Sequence, residues 1–149
     1  MKVEFFVSRK DMDNAAMLEE AERPKGDRLD ADALSAFALE RKVICLKAVE
    51  DDYEQTGVIL GLIFYTITRK SRKVKRITYL PGSRAEEILN ALMDKVEKMD
   101  IHRTKKLKIR LPKKDSALPI LARRRGYEKA LRIVGFDYSA PVPQAAAMS

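Results

Sequence analysis

Apolar positions recur along the chain with two different periods, and the points where the period changes mark out the elements. Val3–Val7 is a short β-branched and aromatic run ended by Ser8, which predicts a first strand. Asp11 reads as a cap, and Met12, Ala15, Ala16 and Glu19-Glu20 predict a helix that stops before the turn cluster Pro24-Lys25-Gly26. Asp30 opens a second helix, with Leu34, Phe37 and Ala38 at helical spacing. Val43–Val49 is nearly all apolar, the pattern of a strand buried on both faces. The polar loop Asp51–Gly57 leads into Val58–Thr68 and predicts an antiparallel hairpin. A basic turn, Arg69–Lys73, then predicts a second hairpin with Val74–Leu80, which Pro81-Gly82 stops.

Ser83 reads as an N-cap with Glu86 three residues later, the pattern of a capping box. The helix from Arg84 to about Asp100 places Ala85, Ile88, Leu89, Leu92, Val96 and Met99 on one face. Leu107–Leu111 alternates as a strand does. Asp115 or Ser116 caps a short helix, Ala117–Arg125, that ends at Gly126, with Pro119 tolerated in its first turn. Leu131–Tyr138 predicts a last strand. The expectation is one domain over residues 1–139 and a low-complexity Ala/Pro tail over 140–149. The order β-α-α-β-β-β-α-β-α-β predicts an α/β (α+β) mixed sheet, in which a three-strand antiparallel meander is followed by a parallel strand pair.

Composition narrows the chemistry. Thirty Lys and Arg against 22 Asp and Glu leave a net charge of +8, which favours anionic partners such as nucleic acid, a phosphate-bearing cofactor or an acidic protein surface. Cys45 and His102 are single residues of their type, which argues against an internal disulfide, a Cys/His metal centre and a His-Asp triad; no metal is expected. Met1–Lys10 lacks the pattern of a signal peptide, and Val58–Phe64 is too short to span a bilayer. A soluble protein of a reducing compartment, the cytoplasm, is expected.

Three segments resemble the GNAT family of N-acetyltransferases, and the likeness extends from Val3 to about Tyr138. Val58–Phe64, with Gly61, resembles the family's third strand. Leu80-Pro81-Gly82-Ser83-Arg84-Ala85 stands where the family places its pyrophosphate-binding loop. Asp115-Ser116-Ala117 through Arg125-Gly126-Tyr127-Glu128 resembles the segment that ends in Gly-Phe after the fourth helix. The resemblance implies acetyl-CoA as cofactor, held by backbone N–H groups at a helix N-terminus. The family's loop pattern is Arg or Gln, two residues, Gly, one residue, then Gly or Ala. It falls here on Leu80, Ser83 and Ala85, with Gly82 and Arg84 between them. Arg84 and Arg76 are further candidates to meet a phosphate.

The catalytic parts implied by the resemblance are replaced. Val58–Leu80, where the family commonly places a Glu or a bound water as base, contains no Asp or Glu. The position of the family's tyrosine acid holds Ala122, and that of its Asn holds Asp115. Tyr127, Tyr79 and Tyr65 stand nearby in sequence, the first two being the candidate catalytic groups. The leading expectation is therefore a non-catalytic binding or assembly protein on this fold. The Leu80–Arg84 helix entry is also similar to that of degenerate acyltransferase folds among podophage virion and ejection-associated proteins. A virion location and a protein partner holding the tail would follow. The alternative is an acyl-CoA-dependent N-acetyltransferase with an atypical base. A second alternative is a basic accessory protein contacting nucleic acid through Arg69, Lys70, Arg72, Lys73, Arg123, Arg124 and Arg125, with Lys105–Lys114 adding charge.

Overall fold

A computed structural model of the chain describes residues 1–40, 42–67, 72–99, 107–111, 117–131 and 136–140 and, beyond Met99, the side chains of 120–127 alone. The strands are β1 (Lys2–Phe5), β2 (Val43–Val49), β3 (Ile59–Ile67), β4 (Arg72–Tyr79), β5 (Leu107–Leu111), β6 (Glu128–Leu131) and β7 (Phe136–Ala140). The helices are α1 (Arg9–Glu22), α2 (Ala31–Ala38), α3 (Tyr53–Thr56), α4 (Ala85–Lys98) and α5 (Ala117–Arg124), with a 3-10 turn at Lys25–Asp27. The seven strands form one sheet in the order β1-β2-β3-β4-β5-β7-β6. β1 to β4 are antiparallel neighbours, β4 and β5 run parallel, and β7 is antiparallel to both β5 and β6. This is the expected mixed sheet, with one strand more than expected. The run read as a single last strand is divided between β6 and β7, and Ala140, assigned to the tail, lies in β7. Residues 141–149 lie outside the described residues.

Alternation along β2 and β3 sends side chains to two separate cores, because both faces of the sheet are covered. One face packs Cys45, Val49, Leu62 and Phe64 against Met12, Ala15 and Leu18 of α1 and Leu34 of α2. The other packs Leu46, Ala48, Ile63 and Tyr65 against Ile88, Leu89, Leu92 and Val96 of α4, with Leu121, Ala122 and Tyr127 closing its far side. The first seven residues of β3 are buried, which accounts for its unbroken apolar run.

Two helix starts differ from expectation. Ser8, not Asp11, stands at the N-cap of α1. Asp11 lies one turn inside the helix and accepts the Val7 amide (2.8 Å), the Tyr53 hydroxyl (2.6 Å) and the Lys47 ammonium (3.1 Å). Ser83 does not cap α4 either: Arg84 is at the N-cap, with no side-chain cap hydrogen bond. The reason is the Gly82 backbone. Its φ of 106° turns the chain so that Gly82 itself accepts the Ala85 amide (3.2 Å), starting the helix one residue later. Asp30, by contrast, caps α2 as expected, accepting from the Ala33 amide (2.8 Å).

Arg72 and Lys73, assigned to a basic turn, are half-buried strand residues. They form the described pairs with β5, Arg72 opposite Ile109 and Lys73 opposite Arg110. Arg69 and Lys70 lie outside the described residues, as do His102, the capping candidates Asp115 and Ser116, and the side chains of Lys105–Lys114.

Candidate functional site

The sheet changes character along β4. Among the described residues, β5 pairs with β4 at Arg72 and Lys73 only, while β4 continues to Tyr79. The β3–β4 register shows the cause. Phe64 faces Arg76, yet the next β3 residue, Tyr65, faces Val74, so Lys75 is an extra residue bulged out of β4. A bulge bends its strand and increases its twist. This one lies just past the two residues that pair with β5, so β4 bends at that point, and among the described residues no strand pairs with its far half on the β5 side.

The ladder identifies which peptide groups line that edge. The Leu80 amide donates to the Leu60 carbonyl at 2.9 Å, and Gly61 faces Tyr79. Hydrogen-bonded and non-bonded pairs alternate in an antiparallel ladder. Arg76, Thr78 and Leu80 therefore turn their peptide groups toward β3, whereas Ile77 and Tyr79 turn theirs to the β5 side, where no described strand pairs with them.

Just beyond this edge the chain enters α4. Pro81, Gly82, Ser83 and Arg84 are exposed and Ala85 is half-buried. The first bond of the helix runs from the Ile88 amide to the Arg84 carbonyl (2.9 Å). By helix geometry the Glu86 and Glu87 amides have no intrahelical acceptor, and they mark the positive end of the helix dipole. A Cβ at Gly82 would meet nothing within 4 Å, so the turn before the helix has clear space beside it. Leu80 stands where the family pattern has Arg or Gln, and it packs half-buried against both cores. Arg84 is paired with Glu50 and Glu87, and Glu86 accepts from Arg124 (2.6 Å).

The structure thus brings Tyr79, Leu80, Gly82, Ser83, Arg84 and Ala85 into one continuous corner, with Arg124 beside it. It places the other named candidates elsewhere. Tyr127 is buried with its hydroxyl on Glu97 (2.7 Å), about 18 Å along α4 from the helix entry. Arg125 donates to Asn90 (2.8 Å) and pairs with Asp94 (2.5 Å) and Glu97, tying α5 to α4. Burial works against its charge, but the two acids hold its pKa above the ordinary arginine value. Arg123 is exposed at the end of α5. Tyr65 reaches the Met99 sulfur (3.6 Å) on the α4 face. Arg76 points to the opposite face of the sheet, away from the helix entry, and binds Glu19 (2.5 Å) and the Asp27 carbonyl.

Sequence reasoning missed Glu19. It is fully buried near the end of α1, pressed on the outer half of β4, and accepts from Arg76 and from the Thr78 hydroxyl (2.5 Å). Arg23, one turn on, donates to Thr78 (3.0 Å), to Asp27 (2.8 Å) and to the Ile77 carbonyl. The signal was its helical spacing from Met12 and Ala15, which puts Glu19 on the buried side of α1. Cys45 is buried, and burial pushes its thiol pKa up to about 12, the mark of an inert structural cysteine. Among the described residues no cluster of His, Cys, Asp and Glu could hold a metal ion, and no helix is long and apolar enough to cross a membrane.

No protein-family model matches the chain, and no curated protein matches it by sequence. Solved structures do. The PaiA N-acetyltransferase of Thermoplasma acidophilum, in complex with coenzyme A, superposes with a TM-score of 0.65 at 12% identity, covering 95% of this chain and 100% of its own. The ribosomal-protein-alanine N-acetyltransferase of Brucella melitensis gives 0.64 at 14%, covering 96% and 100%. The GNAT domain of S. lividans PAT gives 0.65 at 12%, covering 93% and 89%. These neighbours correct the expectation of a non-catalytic assembly protein, because the same architecture over nearly the whole chain is that of N-acetyltransferases. The physical flaw lay in reading the acid-free Val58–Leu80 as evidence against chemistry, since the groups of a catalytic site come together from segments distant in sequence. The chain has the GNAT fold.

Proposed function

We propose that the protein is an acyl-CoA-dependent N-acyltransferase that uses acetyl-CoA. One observation carries the reading: the half of β4 that no described strand pairs on the β5 side runs directly into helix-entry amides that have no intrahelical acceptor. An extended, amide-bearing chain can add to an open strand edge, and a diphosphate is suited to a helix N-terminus. The two features lie in the order that the parts of coenzyme A require. The solved structure with coenzyme A bound supports the same ligand class.

When bound, the cofactor supplies an activated acyl thioester. The chain's own residues have two tasks. The Glu86 and Glu87 amides, together with Arg84, hold the diphosphate, and Gly82 leaves clear space beside the turn before them. The Ile77 and Tyr79 peptide groups align the arm along β4.

Titration calorimetry with acetyl-CoA is expected to show micromolar binding. Ala85→Glu is expected to abolish it by setting a carboxylate at the first helical position beside the phosphates. No binding at millimolar acetyl-CoA would remove the reading. Tyr127→Phe is expected to act on stability alone, through the lost bond to Glu97, which a thermal melt checks.

A further inference from the structure

We propose that Arg23 is a displaceable stopper on the β5-side edge of the far half of β4, occupying a backbone carbonyl that the arm of an acyl-CoA uses. The inference rests on the acyl-CoA reading above. Ile77 and Tyr79 are the β4 residues beyond the bulge whose peptide groups face the β5 side, and of these the Ile77 carbonyl accepts from Arg23 Nη2. The same guanidinium donates through Nε to Thr78 Oγ1 (3.0 Å) and through Nη1 to Asp27 Oδ2 (2.8 Å). A side chain from the end of α1 therefore makes the contact that a neighbouring strand, or an extended ligand, would otherwise make.

The geometry lets the side chain leave while its backbone stays. The Arg23 amide is held by the Glu19 carbonyl (2.9 Å), Pro24 follows with its φ restricted, and the Arg23 carbonyl accepts from Arg28 (2.8 Å). The guanidinium is a quarter exposed and Asp27 is half exposed, so on displacement the charge keeps a partner at the surface. An acyl-CoA arm carries amide N–H groups, each able to donate one neutral hydrogen bond to Ile77. Arg23 supplies a charged one, which is the stronger of the two. Displacement therefore subtracts from the affinity for any ligand that adds to this edge, and leaves binding at the helix entry alone.

The test compares coenzyme A with 3′,5′-ADP, which keeps the adenosine and phosphates at its 3′ and 5′ positions but has no arm. Calorimetry on the wild type and on Arg23→Met, which keeps the aliphatic stem, is expected to show coenzyme A binding about threefold to tenfold tighter in the variant. Affinity for 3′,5′-ADP is expected to be unchanged. The sign is informative, because removing a positive charge near a polyanion would by charge alone weaken binding. Coenzyme A binding that is no tighter in Arg23→Met overturns the stopper, as does an equal gain for 3′,5′-ADP. Arg23→Lys keeps the charge without the planar fork and must shift coenzyme A affinity in the same direction, so the proposal stays testable if the Met variant does not fold. A wild type that binds neither compound overturns the acyl-CoA reading itself, a result distinct from failure of the stopper alone.

Discussion

Replacing Gly61 by valine is expected to destabilise the protein by about 3 kcal/mol or more, a fall in Tm of about 6–12 °C for a chain of this size. Gly61 lies on β3 opposite Tyr79, where α4 crosses the sheet. A Cβ there would come within 2.6 Å of Ile88 Cγ2, 3.3 Å of Tyr79 Cβ and 3.5 Å of Leu92 Cδ1. Ile88 and Leu92 are fully buried in the same core, so neither can step aside without moving α4. Relief by sliding the helix would also shift its first turn, where the Glu86 and Glu87 amides lie. Gly61→Ala, with a single methyl, is expected to cost less and to weaken acetyl-CoA binding measurably. Thermal melts of both variants check the prediction, and a valine variant as stable as wild type would show that α4 does not approach β3 this closely.

Asp11→Ala is expected to be at least as damaging, at about 3–5 kcal/mol, because it strands a buried charge. The Lys47 side chain is 1% exposed, in the middle of a strand that otherwise reads as apolar. Its ammonium is held by Asp11 (3.1 Å), the Phe5 carbonyl (2.7 Å) and Glu4 (3.4 Å), with the Phe6 and Tyr53 rings near by. Removing Asp11 takes away its buried counter-charge and leaves the Tyr53 hydroxyl without its acceptor. Lys47→Met is expected to cost less, since Asp11 would still accept from Tyr53, Val7 and whatever water enters. Combining it with Asp11→Ala should recover part of the loss, a coupling that a double-mutant cycle measures.

The pH dependence follows from the same group. Burial pushes the Asp11 carboxyl up, but hydrogen bonds from Tyr53, Val7 and Lys47, with the Lys47 charge, outweigh it and hold the pKa below the usual carboxylate range. A depressed carboxyl contributes stability that is present above its unfolded pKa and lost as the pH falls through the folded one. Wild-type stability is therefore expected to drop on acidification below the ordinary aspartate range, more steeply than in Asp11→Asn. Burial and the Asp11 bond push the Tyr53 phenol up to about 12, so alkaline titration of this tyrosine should come late.

The elements that were legible are those whose pattern reflects burial on a local period. The bounds of β2, the start of α2 at its Asp30 cap, and the long amphipathic α4 follow from side chains a few residues apart. The helix entry at Leu80–Ala85 was legible for a related reason: Pro-Gly before an amphipathic run announces the start of a helix. Less legible was the role of single charged residues. Arg76 and Arg125 looked like available cations in the sequence, and each is held by an acid far along the chain, Glu19 for one and Glu97 for the other. Their hydrogen bonds span 57 and 28 residues, distances over which local periodicity carries no information.

By itself the sequence determined where the chain is strand or helix over most of its length, which strands form the antiparallel meander, and that α4 follows a Pro-Gly turn. These are matters of short-range sterics, side-chain period and solvent exclusion, all present in stretches of ten to fifteen residues. Only the tertiary structure decided that Lys75 bulges, that the described pairing of β4 with β5 stops short of it, that α1 delivers Glu19 and Arg23 to the far half of β4, and that Tyr127 is tied to Glu97 on α4. Each depends on which distant segments meet, and that is set by the packing of two helical layers on one twisted sheet.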